Sequence, residues 1–182
     1  MGFKINALRE IIKTLGKEEP SLKKLREAFL SFKCSKNIDE EDFFHNKAIE
    51  YEIHNKARTY LLMNEKNDIV GYFSLAFKSI DLEDVNNSLK KRMVGGKSTS
   101  ATYSAFLIGH IAKEDSVQER LGDIIINAAE NLLLEAQKIV GGRLVYLDCK
   151  DESKLKELYE RNDYTYFNTS KQTGLLQYFK KL

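Results

Sequence analysis

Apolar residues recur at helical spacing from the start of the chain. Ile5, Leu8, Ile11, Ile12 and Leu15 predict an amphipathic helix over residues 4–16, closed by Gly16. Pro20 and Ser21 open a second helical segment, with Leu22, Leu25, Ala28 and Phe29 on one face. LSFKC (30–34) has the composition of a short strand, and Asp39 reads as the N-cap of a helix over DEEDFFHNKAIEYEIHNKA. The pattern then turns to β. RTYLLM (58–63) and IVGYFSLAF (69–77) flank a polar turn at 64–68 and predict a hairpin. Residues 81–103 are the least regular part, and Gly95 and Gly96 predict a mobile tip. SAFLIGHIA (104–112) is an apolar run of strand length. Residues 118–140 form the strongest helical pattern, with Ile125, Ala129, Leu132, Ala136 and Ile139 in register and Gly141 and Gly142 as the stop. RLVYLDC (143–149) predicts a strand, DESKLKELYERN (151–162) a helix capped by Asp151, and YTYF (164–167) and LLQYF (175–179) two closing strands.

The strand–helix–strand run from 104 to 149 implies a parallel pair, and the last two strands an antiparallel hairpin. The expected fold class is therefore α/β: one domain over residues 1–182, with a helical extension at 1–30. No repeat or linker interrupts it. Composition excludes several classes. With 182 residues, 42% hydrophobic and 31% charged, the chain is an ordinary globular one, and one proline and ten glycines exclude a low-complexity protein. No apolar run reaches membrane-spanning length, and the N-terminal residues lack the pattern of a signal peptide. Cys34 and Cys149 lie outside any CxxC, which excludes a disulfide scaffold and a zinc ribbon and fits a reducing cytoplasm. A net charge of +2 does not announce a nucleic-acid binder.

Candidate chemistry gathers where the 104–112 strand gives way to the long helix, through AKEDSVQERLGD. A helix N-terminus collects free backbone N–H groups and the positive end of the dipole, so it can hold a pyrophosphate. Gln118 and Arg120 would add donors, and Gly122 would admit a close ligand. A plain strand-to-helix loop capped by its own acids fits the same residues. His45 and His54 are nine apart and lack the helical spacing of a metal pair, so no metal is expected.

The sequence resembles the GNAT superfamily of acetyl-CoA-dependent N-acetyltransferases over residues 29–180. RTYLLMNEKNDIVGYFSLAF is similar to its second and third strands, usually R-T-Y/F-L/V followed by a hydrophilic turn and a VGYY-type run. FLIGHIAKEDSVQERLGDIII resembles the fourth strand, phosphate loop and following helix. LVYLDCKDESKLKELYERNDY resembles the fifth strand and the helix that ends F-Y-x-x-x-G-F. FKCSKNIDEEDFFHNKAIEYE resembles the entry segment of small toxin-like members, and the G-G-R-x-V-Y-L-E-C form of the fifth strand occurs in acetyltransferases of Gram-positive prophage and plasmid type. The resemblance implies a GNAT-like mixed, twisted sheet of six or seven strands with helices on both faces, with acetyl-CoA as substrate. Two departures stand out. The family loop Q/R-x-x-G-x-G/A is here Gln118, Glu119, Arg120, Leu121, Gly122 and Asp123, with one glycine and two acids near the expected phosphates. The final helix carries Leu158–Tyr159 and Asp163–Tyr164 in place of F-Y and G-F.

By that resemblance Tyr159 is the acid that protonates the departing thiolate; by spacing alone it is a core tyrosine beside Leu155 and Leu158. His110 is either a base for the acceptor amine or a buried strand residue. Backbone N–H groups at Ile111, Ala112 and Lys113 would hold the pantetheine arm. The loop from Gln118 to Asp123 would hold the pyrophosphate, and Asp151 and Lys154 are further candidate cofactor contacts. Cys149 reads as structural. Lys90, Lys91, Arg92 and Lys97 form a basic stretch that is either a solvated loop or an edge steering an anionic acceptor. The expected activity is acetyl transfer to a primary amine on a small molecule or peptide. The alternatives are toxin-like acetylation of aminoacyl-tRNA, or a non-catalytic binding module on the same scaffold; a homodimer is compatible with either.

Overall fold

The computed structural model describes residues 2–95 and 101–182. Its elements are β1 (Lys4–Ala7), α1 (Leu8–Leu15), α2 (Glu19–Phe29) and α3 (Ile38–Asp42). A π-helical turn (Phe43–Lys47) then leads into α4 (Ala48–Ile53), β2 (Arg58–Met63), β3 (Ile69–Asp81) and α5 (Asn87–Val94). β4 (Thr102–Lys113), α6 (Gly122–Val140), β5 (Leu144–Cys149), α7 (Ser153–Arg161), β6 (Thr165–Thr169) and β7 (Leu176–Lys181) complete the order. The seven strands form one mixed sheet in the order β1-β2-β3-β4-β5-β7-β6. β4 and β5 are parallel, and β7 is antiparallel to both β5 and β6. This is the GNAT-like α/β fold expected from the sequence.

Several boundaries differ from the sequence expectation. Residues 4–7 are a strand rather than the first turn of a helix, because they find a partner: Ile5 pairs with Leu62 and Asn6 with Leu61 along β2. LSFKC is not a strand; its backbone bonds locally, Leu30 N–H to Arg26 O and Phe32 N–H to Phe29 O, while Phe32 and Cys34 turn inward. The helix predicted from Asp39 has Asn37 at its N-cap position and is broken by the π turn. Within 81–103 the chain forms α5, whose N-cap Asn86 accepts the Leu89 N–H at 2.9 Å. Of the tip expected at Gly95 and Gly96, Gly95 closes α5 in the left-handed conformation, and Gly96 lies outside the described residues. α6 begins at Gly122, not 118, and buries Ile125, Ile126, Ala129 and Leu133, leaving the predicted face member Ile139 84% exposed. Glu152, not Asp151, occupies the N-cap position of α7.

Two compact units divide the chain: Met1–Ala76 with His110–Ala128, and Phe77–Gly109 with Ala129–Leu182. The core of the first is aromatic. Phe29 stacks on Phe44 at 4.2 Å between centroids, Phe44 stacks on Tyr72 at 4.6 Å, and Leu8, Ile12, Leu25 and Leu61 fill around them. Arg58, the arginine of the RTYL run, anchors this unit: its guanidinium donates to the buried Glu52 carboxylate at 2.7 Å, which also accepts the Thr59 N–H at 2.9 Å. A buried carboxylate is tolerable only when so partnered. Gly71 of β3 has its own packing reason. A Cβ there would lie 2.9 Å from Ala112 O and 3.1 Å from Ile125 Cδ1, so only glycine lets β3, β4 and α6 close together. The second unit packs Ile80, Leu82, Met93, Leu144, Tyr146 and Phe179.

Candidate active site

In the first unit the site is built on the C-terminal half of β4. The parallel register with β5 joins Phe106 to Val145 and Leu107 to Tyr146 and, among the described residues, extends no further, although β4 runs on to Lys113 and β5 to Cys149. Beyond the paired part, β4 stays with β3: Glu114 N–H donates to Val70 O at 3.0 Å. Strand alternation therefore aims the Ala112 amide toward β3 and the Ile111 and Lys113 amides toward the opposite edge. Of the three amides expected to hold a pantetheine arm, Ile111 and Lys113 have the open orientation and Ala112 does not.

The loop that follows is held from outside. Asp115 accepts the Ser35 N–H at 2.9 Å and gives its own N–H to Lys33 O. Hydrogen bonds from Ser35 keep the Asp115 carboxyl below its ordinary range. The Lys113 ammonium donates to Val117 O, which folds the loop back on its strand. Gln118 is exposed, and its side-chain amide gives one of its two N–H groups to Ser116 O at 3.3 Å. Glu119 and Arg120 are exposed, and Leu121 is fully buried and begins the helical bonding by accepting Ile125 N–H. Gly122 and Asp123 then form the first turn of α6. The donors this segment offers an anion include the first amides of α6 and the Arg120 guanidinium.

His110 has partners the sequence did not disclose. Its Nδ1 lies 2.9 Å from Glu40 Oε2, and its ring stacks on Phe43 at 3.6 Å with 13° between planes. The single Tyr72 hydroxyl proton is shared between Glu40 O at 2.6 Å and Glu40 Oε2 at 3.1 Å. His110 is therefore neither sunk in the core nor turned away: 31% of its side chain is exposed, against 16% for Glu40. Seventy residues separate the two, and the acidic run around Glu40 reads in sequence only as helix-start charge. His45 is structural, with Nε2 at 2.9 Å from Phe32 O.

In the second unit Tyr159 lies on the buried face of α7, its ring against Tyr178 at 5.7 Å and Tyr164 at 6.1 Å. The helix end that places it is tightly turned: Tyr159 O accepts N–H groups from Asn162 and Tyr164, and Asp163 adopts φ 65°, the left-handed conformation that asparagine and aspartate tolerate best after glycine. Burial pushes the Tyr164 phenol far up and the Tyr178 phenol up to about 12, so both are neutral around Tyr159. Cys149 is also buried, and desolvation with nearby Asp148, Asp151 and Glu152 raises its thiol to about 11, which leaves it a poor nucleophile near neutrality. Asp151 is exposed and paired with Lys156 at 2.6 Å, and Lys154 is exposed. Of the basic stretch, Lys91 and Arg92 are exposed on α5, Arg92 reaching Thr165 Oγ1 at 3.2 Å, while Lys97 lies outside the described residues.

Among the described residues no group of three His, Cys, Asp or Glu side chains is arranged to hold a metal, and no helix is long and apolar enough to cross a membrane. No protein-family profile and no curated protein sequence matches the chain. Solved structures do share its fold. AtaT complexed with acetyl-methionyl-tRNAfMet superposes with a TM-score of 0.69 over 97% of this chain and 94% of that one, at 14% identity. A tyrosine-to-phenylalanine mutant of KacT gives 0.72 over 100% and 95%, again at 14% identity. A tyrosine-to-phenylalanine mutant of the AtaT toxin, bound to the C-terminus of the antitoxin AtaR and acetyl-CoA, gives 0.67 over 98% and 92% at 13% identity.

Proposed function

We propose that the protein is an acetyl-CoA-dependent N-acetyltransferase that transfers the acetyl group directly to a primary amine. The observation that carries this reading is the course of β4. Past Leu107 it leaves β5, presents the Ile111 and Lys113 amides away from β3, and delivers the chain into the N-terminus of α6. The two amides suit an amide-rich pantetheine arm and a polarised thioester carbonyl. The first turn of α6 and Arg120 suit a pyrophosphate. His110 would take the proton of the attacking amine, the C–N bond would form as the C–S bond breaks, and Tyr159 would protonate the thiolate. The fold shared with a toxin bound to acetyl-CoA supports the same cofactor here.

Acetyl-CoA is expected to raise the melting temperature in a concentration-dependent way, since a ligand that binds only the native state stabilises it by mass action. Arg120→Ala should weaken binding about tenfold, the loss of one charge-assisted contact. Isothermal titration checks both. Absence of binding at millimolar acetyl-CoA would overturn the enzyme reading and leave a binding module.

A second reading concerns the acceptor. The shared fold with AtaT bound to acetyl-methionyl-tRNAfMet favours the amine of an aminoacyl-tRNA, and the exposed Lys91 and Arg92 offer charge for its backbone. Filter binding of aminoacyl-tRNA should then weaken steeply with salt. Removing both charges should flatten the slope by roughly one unit per lost phosphate contact. Salt-independent or undetectable binding, with turnover on small amines, would return the acceptor to that class.

A further inference from the structure

Three groups from three separate elements converge around His110. Glu40 comes from α3, Phe43 from the π turn, Tyr72 from β3, and the histidine itself from β4. Each fixes a different degree of freedom. Stacking on Phe43 at 3.6 Å sets the ring plane. Glu40 Oε2, 2.9 Å from Nδ1, sets which edge of the ring faces inward. Tyr72 holds Glu40 through one shared proton, bound closely to its main-chain oxygen and more loosely to its carboxylate. Burial, reinforced by the Glu40 charge, raises the Tyr72 phenol far above its ordinary range, so it remains a donor at every working pH.

We propose that Glu40 is a positioning residue that holds His110 as the Nδ1–H tautomer and so keeps the Nε2 lone pair available for the proton of the acceptor amine. This rests on the acetyl-transfer reading above. An ionised carboxylate only accepts hydrogen bonds, so the imidazole edge facing it must carry the proton. In a neutral ring the other nitrogen is then the base. In the transfer step the amine proton passes to Nε2 and the amine nitrogen bonds to the thioester carbon as the C–S bond breaks, the thiolate leaving to take a proton from Tyr159. The resulting imidazolium is paired with Glu40 until it returns its proton to water. A histidine lacking the carboxylate would divide between tautomers, and the fraction with Nε2–H could not act as the base.

The test begins with the intact protein labelled with 15N-histidine. The chain has three histidines, and His110→Gln assigns the signal of interest. The neutral ring of His110 should show the Nδ1–H tautomer. Glu40→Gln turns an amide N–H toward Nδ1 and should convert it to the Nε2–H form, as an asparagine does when it replaces the orienting carboxylate of a hydrolase triad. Turnover in that variant should fall about 10²-fold with the KM for acetyl-CoA within twofold. Glu40→Asp, which keeps the charge, should recover about tenfold of the loss. A structural clip alone would move neither the tautomer nor the split between kcat and KM. Wild-type protein that is active with His110 in the Nε2–H form overturns the role of Glu40 and leaves the proposed function standing. Wild-type protein that binds no acetyl-CoA and acetylates no amine overturns the proposed function, and with it the base role of His110. The wild-type spectrum needs no variant, so it decides the tautomer even if Glu40→Gln fails to fold.

Discussion

Replacing Tyr159 with phenylalanine is expected to lower turnover by about 10²- to 10⁴-fold while leaving acetyl-CoA affinity unchanged and the melting temperature within a few degrees. The substitution keeps the ring that packs against Tyr164 and Tyr178 and removes only the hydroxyl. Loss of one hydroxyl from a packed tyrosine costs roughly 1 kcal/mol of stability, far less than the kinetic effect. The neighbouring phenols do not take over. Tyr164 and Tyr178 are both raised by burial, which makes them weaker acids than an ordinary tyrosine. Cys149, with its thiol raised to about 11, is no substitute either. Thiol release from acetyl-CoA, followed in the presence of a competent amine, is the measurement. An unaltered kcat would remove Tyr159 from the chemistry and reduce it to a core residue of α7.

The elements that sequence reasoning placed well are those whose apolar pattern is satisfied inside the element. The β2–β3 hairpin, the parallel β4–β5 pair and the final β6–β7 hairpin all follow from alternation and turn residues. The failures have two causes: a partner distant in sequence decided the outcome, or the element carries too little buried apolar surface to show a pattern. Lys4 to Ala7 continue the helical spacing of Ile5, Leu8 and Ile12, yet the pairing with β2 draws them into the sheet. α5 was missed because it buries only Met93 and so carries no apolar stripe, and its signal was the single Asn86 cap. Ile139 fits the spacing of α6 but falls in the last turn, which packs on nothing along that face. The candidate site divides in the same way. His110 and Tyr159 stand out in the sequence as candidates because chemistry selects few residue types for proton transfer. Glu40 does not, because its contacts with His110 and Tyr72 exist only after α3 folds against β3 and β4. The loop read as a phosphate cradle was legible as a strand-to-helix junction, whereas the bond from the Gln118 amide to Ser116 O depends on loop geometry that no motif encodes.

Phe44→Ala should be the most destabilising of the simple truncations, by about 3–5 kcal/mol. Phe44 is fully buried, and three rings close around it: Phe29 at 4.2 Å, Tyr72 at 4.6 Å and Phe32 at 4.9 Å. Removing it takes away the transfer free energy of the ring and leaves a cavity bounded by rigid aromatic groups, which cannot collapse as aliphatic side chains can. For a chain of this size each kcal/mol lowers the melting temperature by about 2–4 °C, so a fall on the order of 10 °C is expected. Phe44→Leu fills most of the space and should cost less than half as much. Ile139→Ala, at a side chain 84% exposed, should stay within about 0.5 kcal/mol of wild type. Urea unfolding of the three variants measures the differences. A cost below about 1 kcal/mol for Phe44→Ala would show that the aromatic stack does not hold the first unit together. The same truncation bears on the site, because Phe44 precedes His45 in the π turn and abuts Tyr72, whose hydroxyl holds Glu40 against His110. If packing at Phe44 supports that arrangement, the folded fraction of Phe44→Ala should lose turnover in parallel, while acetyl-CoA binding, proposed above to draw on β4 amides and the start of α6, should fall only with the fraction unfolded.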